Sequence, residues 1–156
     1  MIFIAHRGNT KGPSMFENEP YYLTKAIGEG YMPEADIWCV KGDLWLGHDW
    51  PDHRVTPEWM QDYAQYCIFH CKNWEAILAM QQAKQHYFWH QGDEYTLTSE
   101  GFVWVYPGRP SPHTKDFIEC EPSLTEFPET WVNNYGICSD YVHILRQKKE
   151  ALCLTK

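Results

Sequence analysis

Two imidazoles, a guanidinium and a closely spaced pair of carboxylates stand within the first fifty residues, each placed where an apolar run stops. His6 and Arg7 follow Ile2-Phe3-Ile4-Ala5, Glu34 and Asp36 flank Ala35, and His48-Asp49 follows Leu44-Trp45-Leu46-Gly47. Alternate side chains of a strand share a face, so Glu34 and Asp36 together offer oxygen ligands to one hard cation. Imidazole titrates near neutrality, which lets His6 and His48 exchange acid and base roles. The guanidinium of Arg7 suits phosphate oxygens. A third apolar run, Tyr66-Cys67-Ile68-Phe69, ends in His70-Cys71-Lys72. There alternation puts His70 and Lys72 on one face, with Lys72 a second phosphate contact. The chemistry these groups suggest is metal-assisted acid-base catalysis. Cys67, His70 and Cys71 have no second cysteine or histidine pair at zinc-site spacing, and a zinc knuckle is set aside.

The elements that must position these groups are short. Residues 9–14 read as a Gly- and Pro-containing loop, residues 17–30 as a helix, and residues 32–40 as a second strand that turns at Lys41-Gly42-Asp43 into a hairpin toward His48. Thr56-Pro57 opens a helix running to about residue 65, and Asn73 caps another after the third strand. Residues 86–89, 102–105, 117–118 and 135–138 are further apolar runs. Their polar ends add His90, Asp93, Tyr106, Glu119 and Asp140 as site candidates by position. A parallel barrel delivers functional groups from successive strand ends onto one rim, and this recurrence predicts that class. Pro107, Pro110, Pro112, Pro122 and Pro128 leave little room for helices in the later connections. A barrel of eight full units needs about 200 residues or more. The expectation is an α/β fold in one domain over residues 1–156, a contracted or incomplete TIM-like (β/α) barrel with a closing helix from residue 143 to residue 156.

Composition narrows the function classes. With 44% hydrophobic and 16% aromatic residues, the chain can fill a core. A net charge of -8 argues against nucleic acid held on a broad basic surface. No apolar run approaches a membrane span, and the chain enters its first strand without a leader, so a cytoplasmic setting is expected. Six cysteines within or beside apolar runs are then expected reduced. A small phosphate ester, which needs only a local positive pocket, stays open as a partner, with a homo-oligomer as a further possibility.

The ordered set His6-Arg7-Gly8, Glu17-Asn18, Glu34-Ala35-Asp36 and a hairpin ending in His48-Asp49 resembles the glycerophosphodiester phosphodiesterase family and its relatives, the sphingomyelinase D type phospholipases. The resemblance covers the first third of the chain. It implies a (β/α) barrel with a divalent ion, magnesium or calcium, held at its mouth, and a pair of histidines of which one accepts a proton from an attacking hydroxyl and the other protonates the leaving oxygen. The small-molecule partner it implies is a phosphodiester. It also places Glu17 in a signature at the start of the first helix, although Glu19 stands where a threonine is usual. The family carries an acid, one residue and a lysine at the end of the third strand, where this chain has His70-Cys71-Lys72. Imidazole in place of a carboxylate moves the metal preference toward manganese or zinc if His70 is a ligand. The competing expectation is a catalytically idle descendant that binds a phosphorylated ligand or a metal. An unrelated α/β domain carrying the string by chance would leave these residues scattered.

Overall fold

The computed structural model describes residues 1–154. Four parallel strands hold the N-terminal motifs: β1 (Ile2–Ala5), β2 (Met32–Val40), β5 (Ile68–Cys71) and β6 (Tyr87–Trp89). Three more, β8 (Val103–Val105), β9 (Phe117–Cys120) and β10 (Gly136–Ser139), run parallel to them and join through the β1–β10 pair. The order of these seven is β6-β5-β2-β1-β10-β9-β8. Three antiparallel strands complete the sheet. β3 (Asp43–Leu46) and β4 (His53–Arg54) extend the far end of β2, and β7 (Tyr95–Leu97) lies beside β8.

The two ends of the sheet approach each other. Ser99 N donates to Tyr87 O at 2.8 Å, and Thr96 Oγ1 donates to Trp89 O at 2.8 Å, which ties the β7 segment to β6. The result is a single-domain α/β fold whose curled, mixed sheet forms a partial barrel. Strand parity sorts its side chains. Ile4, Ile68, Phe88, Trp104, Ile118, Cys120 and Cys138, all at even positions, form one buried cluster. Odd-numbered Ala35, Ile37, Phe69 and Cys71 pack instead against Leu23, Ala76 and Met80 of the covering helices.

Those helices are α1 (Pro20–Gly28), α2 (Pro57–Tyr63), α3 (Trp74–Gln82) and α4 (Val142–Leu154). α1 begins later than the sequence spacing predicts, because Asn18 adopts a left-handed φ of 63° and Pro20 takes the first helical position. Thr56 and Asn73 cap α2 and α3 as expected, each accepting from a backbone N–H through its side chain. Asn73 also reaches back to β2, bonding both the N–H and the carbonyl of Cys39. The last two residues of the expected closing helix lie outside the described residues.

Between β6 and β10 the covering α-helices disappear, and between β8 and β10 the prolines account for it. β7 occupies the place of one, and residues 106–116 pass from β8 to β9 without another. Glu119 points away from the buried cluster and fastens this loop: it is 2% exposed and accepts from Ser111 Oγ, from His113 Nδ1 at 3.0 Å and from Asn134 Nδ2 at 3.2 Å. Its strand-end position made it a site candidate, but its odd parity puts it on the other face. All six cysteines are free, and among the described residues no helix is long and apolar enough to cross a membrane.

Candidate functional site

The site starts from a tight turn. After buried Ala5, residues His6–Gly8 reverse the chain, with Arg7 at φ 51° and Gly8 at φ 87°. A Cβ on Gly8 would come within 2.9 Å of the Tyr22 ring, so the turn is pressed against α1. This conformation aims the Arg7 N–H at Glu34 Oε2, 3.1 Å away, and leaves His6 beside the last strand, where its Nδ1 lies 2.8 Å from Asp140 Oδ1. Asn9 Nδ2 donates to the same Asp140 oxygen and to Glu17 Oε1, both at 2.8 Å, and Glu17 Oε2 accepts from Arg7 Nη1 at 3.2 Å. One polar chain thus runs from β10 through the loop after β1 to the guanidinium.

Asp36 is the most heavily solicited group. It is 1% exposed, and Asn18 Nδ2 at 3.0 Å and Arg7 Nε at 3.2 Å share its Oδ2. His70 Nδ1 at 3.0 Å and Lys72 Nζ at 3.3 Å share its Oδ1. Asn18 closes a two-bond ring by accepting from the Asp36 N–H at 2.9 Å. Burial alone would raise the Asp36 carboxyl, but the hydrogen bond and charge of His70, with Lys72 and Arg7, hold it well below the usual carboxylate range. Glu34 goes the other way, pushed up by burial and by the neighbouring Asp36 charge. For His6, burial acts to lower the imidazole, yet the hydrogen bond to Asp140 and the charge of Glu34 carry it up to about 9. It is therefore a cation at neutral pH.

His48 comes from a second special turn. Gly47 has φ 148°, and a Cβ there would stand 2.0 Å from the Trp50 carbonyl oxygen, so only glycine admits this path. The His48 side chain is 44% exposed and its Nδ1 lies 2.8 Å from Asp49 Oδ1. His6, Arg7, Glu34, Asp36, His48, His70, Lys72 and His90 all line one cavity of about 560 Å³. Of the residues singled out from sequence, Glu17 sits behind the wall as a support for Arg7. Tyr106 lines the cavity, while Asp93 and Glu119 do not. Asp140 supports His6 from behind. Asn9 and Asn18 are supports whose roles local sequence does not assign; Asn18 enters there only as the second residue of the Glu17-Asn18 motif.

Glu34, Asp36 and His70 each present one ligand atom within 4.8 Å of the others. The chemistry of this set fits a divalent ion. His70 Nε2 lies 3.1 Å from the His90 carbonyl oxygen, which only accepts, so Nε2 carries the hydrogen and Nδ1 faces Asp36 Oδ1 at 3.0 Å and Glu34 Oε1 at 4.0 Å. A ring nitrogen set this close to two carboxylates is held by a cation shared among them, the imidazole proton or a metal ion in its place, and the carbonyl behind the ring is the support that metal-bound histidines ordinarily have. One nitrogen and two oxygen donors suit manganese or zinc better than an all-oxygen shell would. Cys67 is not part of this set: it packs outward in the core, and burial pushes its thiol and that of Cys71 far up. Comparison of the chain with family models, with curated proteins and with solved structures finds no match.

Proposed function

We propose that this chain is a metal-dependent phosphodiester hydrolase of the glycerophosphodiester phosphodiesterase-like, TIM-like barrel class, acting on a small phosphodiester that carries a hydroxyl near phosphorus. The observation that carries this reading is the gathering of His6, Arg7, Glu34, Asp36, His48, His70 and Lys72 around one cavity, from loops and strands up to some sixty-five residues apart in sequence. A chance string on an unrelated scaffold has no reason to converge in this way.

Arg7 and Lys72 receive the phosphate and offset the charge that builds on its oxygens. A divalent ion held by Glu34, Asp36 and His70 would supply Lewis-acid polarisation of a phosphoryl oxygen when bound. His48, half exposed at the rim, accepts the proton of the neighbouring hydroxyl as that oxygen bonds to phosphorus. The bond from phosphorus to the departing alcohol breaks, and His6, already protonated, gives its proton to the leaving oxygen. The products are a cyclic phosphate and the free alcohol. Water then opens the ring with the two imidazoles in exchanged roles. The six free cysteines go with a cytoplasmic setting.

The test is a screen of glycerol phosphodiesters against several divalent ions, with His6→Ala and His48→Ala beside the wild type. The expected result is metal-dependent release of alcohol, reduced about 10²- to 10⁴-fold in either variant. One observation favours a second reading, a binding module without turnover. The Asp36 carboxylate is already faced by Arg7, Lys72 and His70, so its charge is compensated without an ion. No turnover with any ion, or turnover indifferent to both substitutions, would leave that module.

A further inference from the structure

The cavity has two unlike sides. One is the polar cluster of His6, Arg7, Glu34 and Asp36; the other is made of rings contributed by neighbouring strands at the closing edge of the sheet. Phe88 of β6 and Trp104 of β8 stack with centroids 4.4 Å apart, and both are almost wholly buried, so they form its floor. Above them the His70 ring lies parallel to Phe88 at 4.8 Å and to His90 at 5.6 Å. His90 in turn meets Tyr106 edge to face at 4.9 Å. Tyr106 remains 42% exposed, so part of its ring is still open. His70 therefore belongs to both sides, with Nδ1 toward Asp36 and its ring continuing the aromatic series.

We propose that this aromatic side is the subsite for the leaving alcohol and selects an alcohol bearing a flat, uncharged ring over one bearing an ammonium group. The inference rests on the phosphodiesterase reading for the word "leaving", and on the ring geometry and the placement of charge for the preference. A flat group set beside His90 and Tyr106 gains the offset or edge-on contact that aromatic pairs favour. An ammonium group would gain a cation–π contact with Tyr106, but among the described residues no carboxylate of the aromatic side lines the cavity; Asp93 acts on His90 from outside it. The carboxylates lining the cavity, among the described residues, are Glu34 and Asp36, both on the polar side. Asp36 is already faced by Arg7, His70 and Lys72, which line the cavity with it. A second cation brought in beside Lys72 is repelled rather than held.

The experiment measures binding of three phosphate monoesters, phenyl phosphate, phosphocholine and methyl phosphate, by quenching of tryptophan fluorescence and by calorimetry. The proteins are wild type, Tyr106→Ala and Tyr106→Phe. Phenyl phosphate is expected to bind wild type about five- to tenfold more tightly than methyl phosphate, the scale of one aromatic pair, and phosphocholine no more tightly than methyl phosphate. Tyr106→Ala should collapse the phenyl-to-methyl ratio toward one, and Tyr106→Phe should keep it. Phosphocholine binding as well as phenyl phosphate, or a ratio indifferent to Tyr106→Ala, would overturn the inference while leaving the phosphate site intact. A Tyr106-dependent phenyl preference in a protein that turns over no phosphodiester would sustain this subsite and sink the hydrolase reading. Failure of all three to bind would sink both.

Discussion

Replacing Asp140 by asparagine keeps the shape of the side chain and removes its charge from His6. In the native protein His6 Nδ1 stands 2.8 Å from Asp140 Oδ1, and the imidazole is raised from 6.5 to about 9. A hydrogen bond to an ionised group contributes about 1.5 to 3 kcal/mol. Since 1.36 kcal/mol corresponds to one pH unit, Asp140→Asn should lower the His6 pKa by about one to two units. In the proposed reaction His6 works in its protonated form. The alkaline limb of the rate profile should therefore move down by the same interval, and at about pH 8 the protonated fraction should fall roughly two- to tenfold. Two assays read this. Histidine side-chain NMR on chelator-treated protein gives the His6 titration directly, and alcohol release against pH gives its kinetic counterpart. A His6 titrating near 6.5 in the wild type, or one indifferent to Asp140→Asn, would refute the reasoning.

The same pairing makes stability depend on pH. The folded His6 pKa lies above its unfolded value, so the contribution is complete below about pH 6.5 and is lost as pH rises through about 9. It amounts to on the order of 3 kcal/mol, to be read as a falling urea midpoint between pH 6 and pH 10. His70→Asp should move metal preference toward magnesium or calcium, and His70→Ala should weaken binding of every divalent ion, both measurable by calorimetry. Asn18→Ala strips the buried Asp36 N–H and carboxylate of a partner each. It should cost about 2 to 4 kcal/mol on denaturation and lower metal affinity about 10- to 100-fold. Gly47→Ala should cost at least about 1 to 3 kcal/mol from backbone conformation alone, with the clash at the Trp50 carbonyl in addition, and a wild-type urea midpoint in that variant would count against the turn as described.

What could be read from the sequence followed from local chemistry. Buried parallel strands appear as short apolar runs, so the runs leading to His6, His70, His90 and Asp140 mark the strands that carry them. The face-sharing of Glu34 with Asp36, and of His70 with Lys72, followed from strand alternation. What escaped depends on contacts between distant positions. His6 and Asp140 meet across 134 residues of chain. β7 is hard to read because Tyr95-Thr96-Leu97, although it alternates, is three residues long and leaves Tyr95 and Leu97 exposed, so that it is a strand through its pairing with β8. Glu119 faces away from the expected side for a related reason. Phe117-Ile118-Glu119-Cys120 offers two alternating faces, and the choice between them is made by the register that sets Ile118 opposite Gly136. Asn9 and Asn18, polar residues in a loop, look like ordinary turn formers until their partners arrive from β2 and the end of β10.

The proposed hydrolase needs one divalent ion where Glu34, Asp36 and His70 meet. Crystals grown with manganese, measured at a wavelength where its anomalous signal is strong, test this most directly. The account predicts a single strong peak bonded to a carboxylate oxygen of Glu34, one of Asp36 and Nδ1 of His70, each at about 2.0 to 2.3 Å. A difference map with no peak there, or with Lys72 and His70 still closed on Asp36 in saturating manganese, would contradict it.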